Sequence, residues 1–163
     1  MKIEKLLKNV SSDLDSDETL LAAVKAAPQG MTDSALMGAA GATAAGGLGA
    51  MVGSAMGRKT KEAGLHARAA AGIDLGRATQ VIAGLSSERF LIWNTSAFLG
   101  RPRELLAEIP RDVIESITLE KSSLIGMPMA ALRVTLTSEA SFDLMVAKVH
   151  KKAALALVEA YTA

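Results

Sequence analysis

The stretch of sequence that decides the fold is Leu85-Ser-Ser-Glu-Arg-Phe-Leu-Ile-Trp93. Its polar run Ser86-Ser-Glu-Arg89 separates residues 81–85 from residues 90–94, and both flanking segments are rich in β-branched, aliphatic or aromatic residues. Two such segments around a short polar run are typical of antiparallel strands joined by a tight turn. The sequence therefore predicts a β-hairpin at this position.

The chain beyond the hairpin keeps a period of two. Gly100-Arg-Pro-Arg103 interrupts it, and Pro110 ends a further strand over 104–109 because proline has no amide hydrogen to donate. Three later stretches alternate apolar with polar residues, which predicts strands with one face in the core and the other in water. Their apolar positions are Ile117, Leu119, Leu132, Val134, Leu136, Phe142, Leu144 and Val146.

The last segment, from Lys148 to Tyr161, changes to helical spacing. Its apolar residues recur at i, i+3, i+4 and i+7, so that they form one stripe that can cover an open end of a sheet. The sequence therefore predicts an α+β fold, an antiparallel β unit capped by a C-terminal helix. The stripe consists of Ala154, Leu157, Val158 and Tyr161.

Residues 1–30 form an N-terminal segment whose secondary structure stays open. Leu, Ala, Glu and Lys dominate residues 18–27, which favours a helix behind an Asp/Ser cap, yet residues 21–27 are also short enough for a strand. The first nine residues carry charge without a following apolar region, so we expect no secretory signal. The absence of cysteine fits a reducing compartment, and we expect a cytoplasmic protein.

Residues 31–76 form a Gly/Ala-rich segment with a charged, Ala-rich helical connector. No charged residue occurs between positions 35 and 56, a length that could cross a membrane. Few of these residues are strongly lipophilic, and glycine within a helix costs about 1 kcal/mol relative to alanine. A helical hairpin packing on itself or on a copy of itself, and a membrane-embedded or membrane-surface segment, both remain open.

Glycines in this segment mark a packing surface. Some of them recur every four residues and so lie along one helical stripe, where a missing side chain lets another backbone approach closely. A glycine pair near the middle could instead turn the chain. We predict self-association through these residues, which are Gly49, Gly53 and Gly57 on the stripe and Gly46 and Gly47 at the pair.

Three basic clusters are candidate contacts for an anionic surface. The 18 basic and 17 acidic residues nearly balance, so we expect no nucleic-acid partner, and contact with a polyanion must be local. At the start of the last helix the dipole is already positive, and an anion would relieve the repulsion among cations there. Ordinary solubilising charges are the alternative interpretation. The clusters are Arg58, Lys59 and Lys61; Arg101 and Arg103; and Lys148, Lys151 and Lys152.

Motifs that carry chemistry are incomplete. Gly53-Ser-Ala-Met-Gly-Arg-Lys-Thr60 lacks the glycine that a phosphate-binding loop needs before its lysine. Asp13-x-Asp15-x-Asp17 lacks both the turn glycine and the closing glutamate of a calcium loop. His66 and His150 have no second ligand at metal-binding spacing, and no nucleophile motif is present. We therefore expect a non-enzymatic protein with no catalytic residues, cofactor or metal.

The hairpin, the string Gly100-Arg-Pro-Arg-Glu-Leu-Leu-Ala-Glu-Ile-Pro110, Ile114-Glu-Ser-Ile117, the strand from Leu132 and the closing helix together resemble bacterial pleckstrin-homology-like domains. The resemblance covers residues 77–163. The hairpin of that family reads hydrophobic-Thr-x-x-Arg-hydrophobic, and here Ser86 stands at the Thr position while Arg89 is kept. The resemblance implies a seven-stranded roll or barrel capped by a helix, without a shared catalytic site.

The resemblance also sets expectations for topology and function. An early strand within residues 20–27 would place the Gly/Ala-rich segment in the first strand connection, and both of its flanks on one side of a membrane, which excludes a single crossing. We expect a binding or assembly module that self-associates or docks at the inner membrane surface, with a protein partner also open. The alternative is a purely structural subunit of a homo-oligomeric ring, shell or filament without lipid. Trp93, the sole tryptophan, is expected to report on liposome binding.

Overall fold

Seven strands and two helices follow one another in the described part of the chain. The computed structural model describes residues 3–28, 73, 75, 78–95, 101–124 and 127–163. Short 3₁₀ turns at Ser11–Asp13, Arg111–Val113 and Lys148–His150 connect some of the elements. In chain order the elements are α1 (Ile3–Val10), β1 (Leu20–Pro28), β2 (Val81–Ser86), β3 (Arg89–Thr95), β4 (Pro102–Pro110), β5 (Ile114–Leu124), β6 (Met127–Leu136), β7 (Ser141–Ala147) and α2 (Lys151–Thr162).

The seven strands form one antiparallel sheet in the order β4-β3-β2-β1-β7-β6-β5. The predicted hairpin is confirmed as β2 and β3, in which Leu85 pairs with Phe90. β4 begins at Pro102, earlier than predicted, and ends at Pro110 as predicted. The predicted antiparallel β unit followed by a C-terminal helix is therefore confirmed.

β1 decides the question that the N-terminal segment left open. Residues 20–28 form a strand in the middle of the sheet, although their composition favours a helix. Ala26 pairs with Val81 of β2, and Pro28 pairs with Leu144 of β7. Hydrogen bonding to strands on both sides outweighs the intrinsic helix propensity, which differs by less than about 1 kcal/mol per residue.

The sheet does not close into a barrel. β4 and β5 stand at opposite ends of the strand order, and within the described residues they do not pair with each other. The chain passes from one to the other through the turn at Arg111–Val113. The outcome is an open seven-stranded sheet, and the outer backbone edge of β5 has no neighbouring strand in the described part of the chain.

The main core lies between the sheet and α2. Ala154 and Leu157 of α2 are fully buried in it, and Val158 and Tyr161 pack against it, as the helical stripe predicted. The Tyr161 hydroxyl donates to the Ile114 carbonyl oxygen at 2.7 Å, which fixes the end of α2 beside the start of β5. Residues 148–150 form a 3₁₀ turn, so the helix begins three residues later than predicted.

A second apolar cluster lies on the opposite face of β1–β3 and was not predicted. Leu6 and Val10 of α1 pack there against Ile82, Leu91 and Trp93. All six residues of β2 are consequently buried. In β7 the five successive residues 142–146 are buried, so the prediction of a water-facing side is wrong for that strand. The spacing of apolar residues in α1 at i, i+3, i+4 and i+7, from position 3 to position 10, is the sequence signal that indicates this covering helix.

Gly84 leaves room for the indole of Trp93 across β2. A Cβ atom at this position would lie 2.7 Å from Cζ3 of Trp93, closer than van der Waals contact allows. Trp93 is fully buried, and its Nε1 donates to Oδ2 of Asp13 at 2.9 Å. The absent side chain thus leaves room for the indole in the cluster that it forms with Leu6 and Val10 of α1.

Candidate functional site

Two clusters of charge differ in how their side chains are paired, and the first surrounds Arg89. Its Nε and Nη2 donate to the Glu18 carboxylate, with Nε 3.2 Å from Oε1. Its Nη1 donates to Glu108, and Nη2 lies 3.5 Å from Oδ2 of Asp15. The Glu18 side chain is completely buried. One guanidinium therefore ties the segment before β1 to strands β3 and β4.

Ser86 completes this cluster from the hairpin turn. Its Oγ accepts the backbone N–H of Arg89 at 2.8 Å and that of Glu88 at 3.2 Å, and the hydroxyl donates to Glu18. The Ser86-x-x-Arg89 pair that carries the family resemblance thus holds the turn and the ion pair together. We call Ser86, Arg89, Glu18, Asp15 and Glu108 the Arg89 clamp.

The pKa values in the clamp follow from this geometry. Hydrogen bonds from Arg89, opposed by burial and assisted by Ser86, lower the pKa of Glu18 to about 2. The same pairing raises the pKa of Arg89 above its usual value. Both groups stay charged at neutral pH and hydrogen-bond to each other. Neither is therefore available to exchange protons with a substrate. The clamp is a structural element.

A second paired arginine lies on the sheet surface. Arg133 of β6 binds Asp143 of β7 through Nε at 2.9 Å and Nη2 at 3.0 Å, and its Nη1 donates to Glu120 of β5 at 3.0 Å. The hydrogen bonds that Arg133 donates to Asp143 raise the pKa of Arg133. One guanidinium therefore bridges two carboxylates across three neighbouring strands.

The second cluster surrounds the start of α2 and consists of lysines. Three come from the turn and first residues of α2, and one comes from β5. Among residues 3–28, 78–95, 101–124 and 127–163, no carboxylate forms a salt bridge with any of them. We call these four residues the lysine surface: Lys121, Lys148, Lys151 and Lys152.

Val149 stands within the lysine surface and is 82% exposed. It lies in the turn between Lys148 and the first residue of α2. The neighbouring His150 has a lowered pKa, because burial and the charge of Lys25 both disfavour its protonation. The positive charge of this turn at neutral pH therefore comes from Lys148.

A groove opens beside the lysine surface, between α2 and the β5–β6 pair. Its volume is about 580 Å³. Leu155 of α2, which is 43% exposed, faces β5 and β6 across it. Glu120 also lines the groove, but its carboxylate is paired with Arg133. The lining residues are Leu119, Glu120, Lys121, Ser122, Pro128, Met129, Ala130, Lys148, Lys151 and Leu155.

The structure joins one predicted basic cluster to this groove. Lys148 and Lys151 line it, and Lys152 follows them on α2. Arg101 and Arg103 lie at the start of β4 and do not line it. Lys121 and Leu155 were not predicted, because only the pairing of β5 with β6 and the position of α2 place them together. The exposure of Val149 was not predicted either. Outside the described residues lie Arg58, Lys59, Lys61, Gly46, Gly47, Gly49, Gly53 and Gly57.

Two further features of the described residues concern metal binding and membrane crossing. No group of His, Asp and Glu side chains among them could hold a metal ion. None of their helices combines the length and apolar character that crossing a bilayer requires. Ala26 pairs with Val81, so residues 26 and 81 lie side by side in the sheet, and the Gly/Ala-rich stretch between them lies outside the described residues.

Comparison with family models, with curated proteins and with solved structures gave no match to this chain. The geometry of the groove and the lysine surface is therefore the basis for the function proposed below.

Proposed function

We propose that this protein is a non-enzymatic binding module that docks on the anionic inner face of a membrane through the lysine surface. The observation that carries the proposal is Val149, which is 82% exposed amid lysines without carboxylate partners in the described part of the chain. An exposed apolar residue surrounded by cations matches both the charge and the polarity of an anionic lipid surface.

The expected strength is modest. Each basic residue near an anionic surface contributes about 1 kcal/mol, and this attraction weakens as salt screens it. Val149 and Leu155 add apolar area, so that electrostatic and hydrophobic attraction act at the same place. Such a surface supports reversible docking from the cytoplasm.

The fold proposal accompanies the functional one. We infer a pleckstrin-homology-like roll, and the seven antiparallel strands followed by a C-terminal helix support it. The Ser86-x-x-Arg89 pair at the hairpin supports it as well. Fold analogy names no ligand, so the lipid assignment depends on the lysine surface alone.

Self-association through Gly49, Gly53 and Gly57 is the second part of the proposal, and their spacing in the sequence supports it. Gly53→Leu is expected to reduce the oligomer size measured by light scattering. Ala55→Leu, about half a helical turn away, is the matched control and should leave that size unchanged. Equal sizes for Gly53→Leu and the unmodified chain would refute this part.

Vesicle co-sedimentation tests the membrane part. The full chain should bind phosphatidylcholine vesicles that contain phosphatidylglycerol and not those of phosphatidylcholine alone. Lys151→Gln with Lys152→Gln should weaken binding about 25-fold, from about 1 kcal/mol per lysine. Lys5→Gln with Lys8→Gln removes the same charge from exposed positions of α1 and should leave binding unchanged. Equal losses in the two double variants would contradict the proposal.

Assembly without lipid would have a different signature. Large uniform particles in lipid-free buffer, together with no vesicle binding, would support a purely structural subunit of a ring, shell or filament. A monomer in buffer that binds anionic vesicles would support membrane docking without assembly.

A further inference from the structure

The groove combines an apolar lining with a cationic rim. Leu119, Met129 and Leu155 provide apolar surface from three different elements. Lys121, Lys148 and Lys151 line the same cavity. We propose that the groove takes up one anionic phospholipid molecule, with its phosphate at these lysines and part of an acyl chain against the apolar residues. This inference rests on the proposed membrane docking and names the ligand of the same surface.

The charge balance of the groove favours an anion. Glu120 is the one carboxylate among the described lining residues, and it shares Arg133, whose Nη1 donates to it at 3.0 Å, with Asp143. Three lysines thus stand against one carboxylate, so the described lining has an excess of positive charge. A phosphate group supplies the negative charge and the several acceptor oxygens that ammonium groups bind.

The apolar part separates a lipid from simpler anions. Inorganic phosphate would leave Leu155, which is 43% exposed, and its apolar neighbours in water. An uncharged lipid would leave the lysines without partners. The volume of about 580 Å³ is in the range of about 300–1,000 Å³ that small-molecule sites occupy. An amphiphile that carries a phosphate satisfies both halves of the groove.

Methyl NMR of the full chain with labelled methionines tests this inference. Met129 lines the groove, whereas Met145 lies buried in β7 and does not line it. Dihexanoyl phosphatidylglycerol, added below its micelle concentration, should shift the Met129 methyl resonance saturably and leave that of Met145 in place. Met129→Leu assigns the resonance. Inorganic phosphate and dihexanoyl phosphatidylcholine should each produce a much smaller shift at the same concentration.

A variant that narrows the groove gives a second readout. Leu155→Trp should weaken binding of the short-chain lipid about tenfold or more, which corresponds to excluding roughly two methylenes. Leu21→Trp places the same side chain at a position of matching exposure, 40%, outside the groove and should leave the affinity unchanged. The Met129 shift in Leu21→Trp tests whether a tryptophan outside the groove changes lipid binding in the groove.

The outcomes separate this inference from the proposed function. An absent Met129 shift with vesicle binding intact overturns the groove assignment and leaves membrane docking standing. Equal shifts with inorganic phosphate, or a saturable shift only with an acidic peptide, also overturn it. Saturable, groove-dependent binding of the short-chain lipid without vesicle binding would support the groove and refute docking.

Discussion

The Arg89 clamp and the lysine surface use charge in opposite ways. In the clamp one guanidinium contacts three carboxylates, and the Glu18 side chain is completely buried. In the lysine surface three of the four lysines line one groove, and no carboxylate of the described residues forms a salt bridge with any of the four. Charge that is satisfied inside the molecule stabilises the fold, whereas charge left without a partner is available to a ligand.

The largest effect is expected from breaking the clamp at its centre. Arg89→Met would leave Glu18 buried without its cation, which costs about 3–5 kcal/mol of unfolding free energy. Urea unfolding followed by Trp93 fluorescence measures this loss, since Trp93 is fully buried in the native state. Lys152→Met, which removes a cation of the lysine surface, is the control and should change stability by less than about 0.5 kcal/mol. A loss below about 1 kcal/mol in Arg89→Met would contradict the role of the clamp.

The second largest effect is expected from acid, which protonates Glu18 and so weakens the clamp. The pKa of Glu18 is lowered from 4.5 to about 2, so its stabilisation is complete above pH 4.5 and is lost as the pH falls towards 2. The unfolded chain takes up the proton first, and the loss is on the order of 3 kcal/mol. Unfolding free energies measured between these pH values should fall less steeply for Glu18→Gln. Equal slopes for the two proteins would show that Glu18 is not coupled to folding.

A smaller effect is expected at Ser86. Ser86→Ala removes the acceptor of two backbone N–H groups and a donor to Glu18, at a cost of about 1–3 kcal/mol. Ser86→Thr keeps the hydroxyl and should cost less than Ser86→Ala in the same urea experiment. If Thr destabilises as much as Ala, crowding of the hairpin turn rather than hydrogen bonding governs this position.

Much of the fold followed from local patterns in the sequence. The alternation over residues 132–136 and 142–146 placed β6 and β7, and the spacing of Ala154 and Leu157 placed the buried face of α2. β1 stayed open because its composition favours a helix, and only pairing with β2 and β7 makes it a strand. Local periodicity therefore located these elements, but it did not show that both faces of β7 are buried.

The candidate site was predicted only in part. Lys148, Lys151 and Lys152 are neighbours in sequence, so their cluster was visible there, but Lys121 and Leu155 meet them only in the folded chain. Trp93 was expected to report on liposome binding. It lies fully buried beneath α1 instead, because α1 covers this face of β1–β3, and that covering helix was not predicted. Its fluorescence is therefore suited to measuring unfolding.

The central claim is that the Arg89 clamp stabilises the fold whereas the lysine surface binds the membrane. Measuring stability and binding on the same variants tests it most directly. Unfolding free energy and affinity for phosphatidylglycerol-containing vesicles would be measured together for two proteins, Arg89→Met and the triple variant Lys148→Gln, Lys151→Gln and Lys152→Gln. The triple variant should keep its stability within about 0.5 kcal/mol per site and lose vesicle affinity about a hundredfold. Arg89→Met should lose stability and keep the affinity of its folded fraction. A triple variant that retains the vesicle affinity of the unmodified protein would contradict the account.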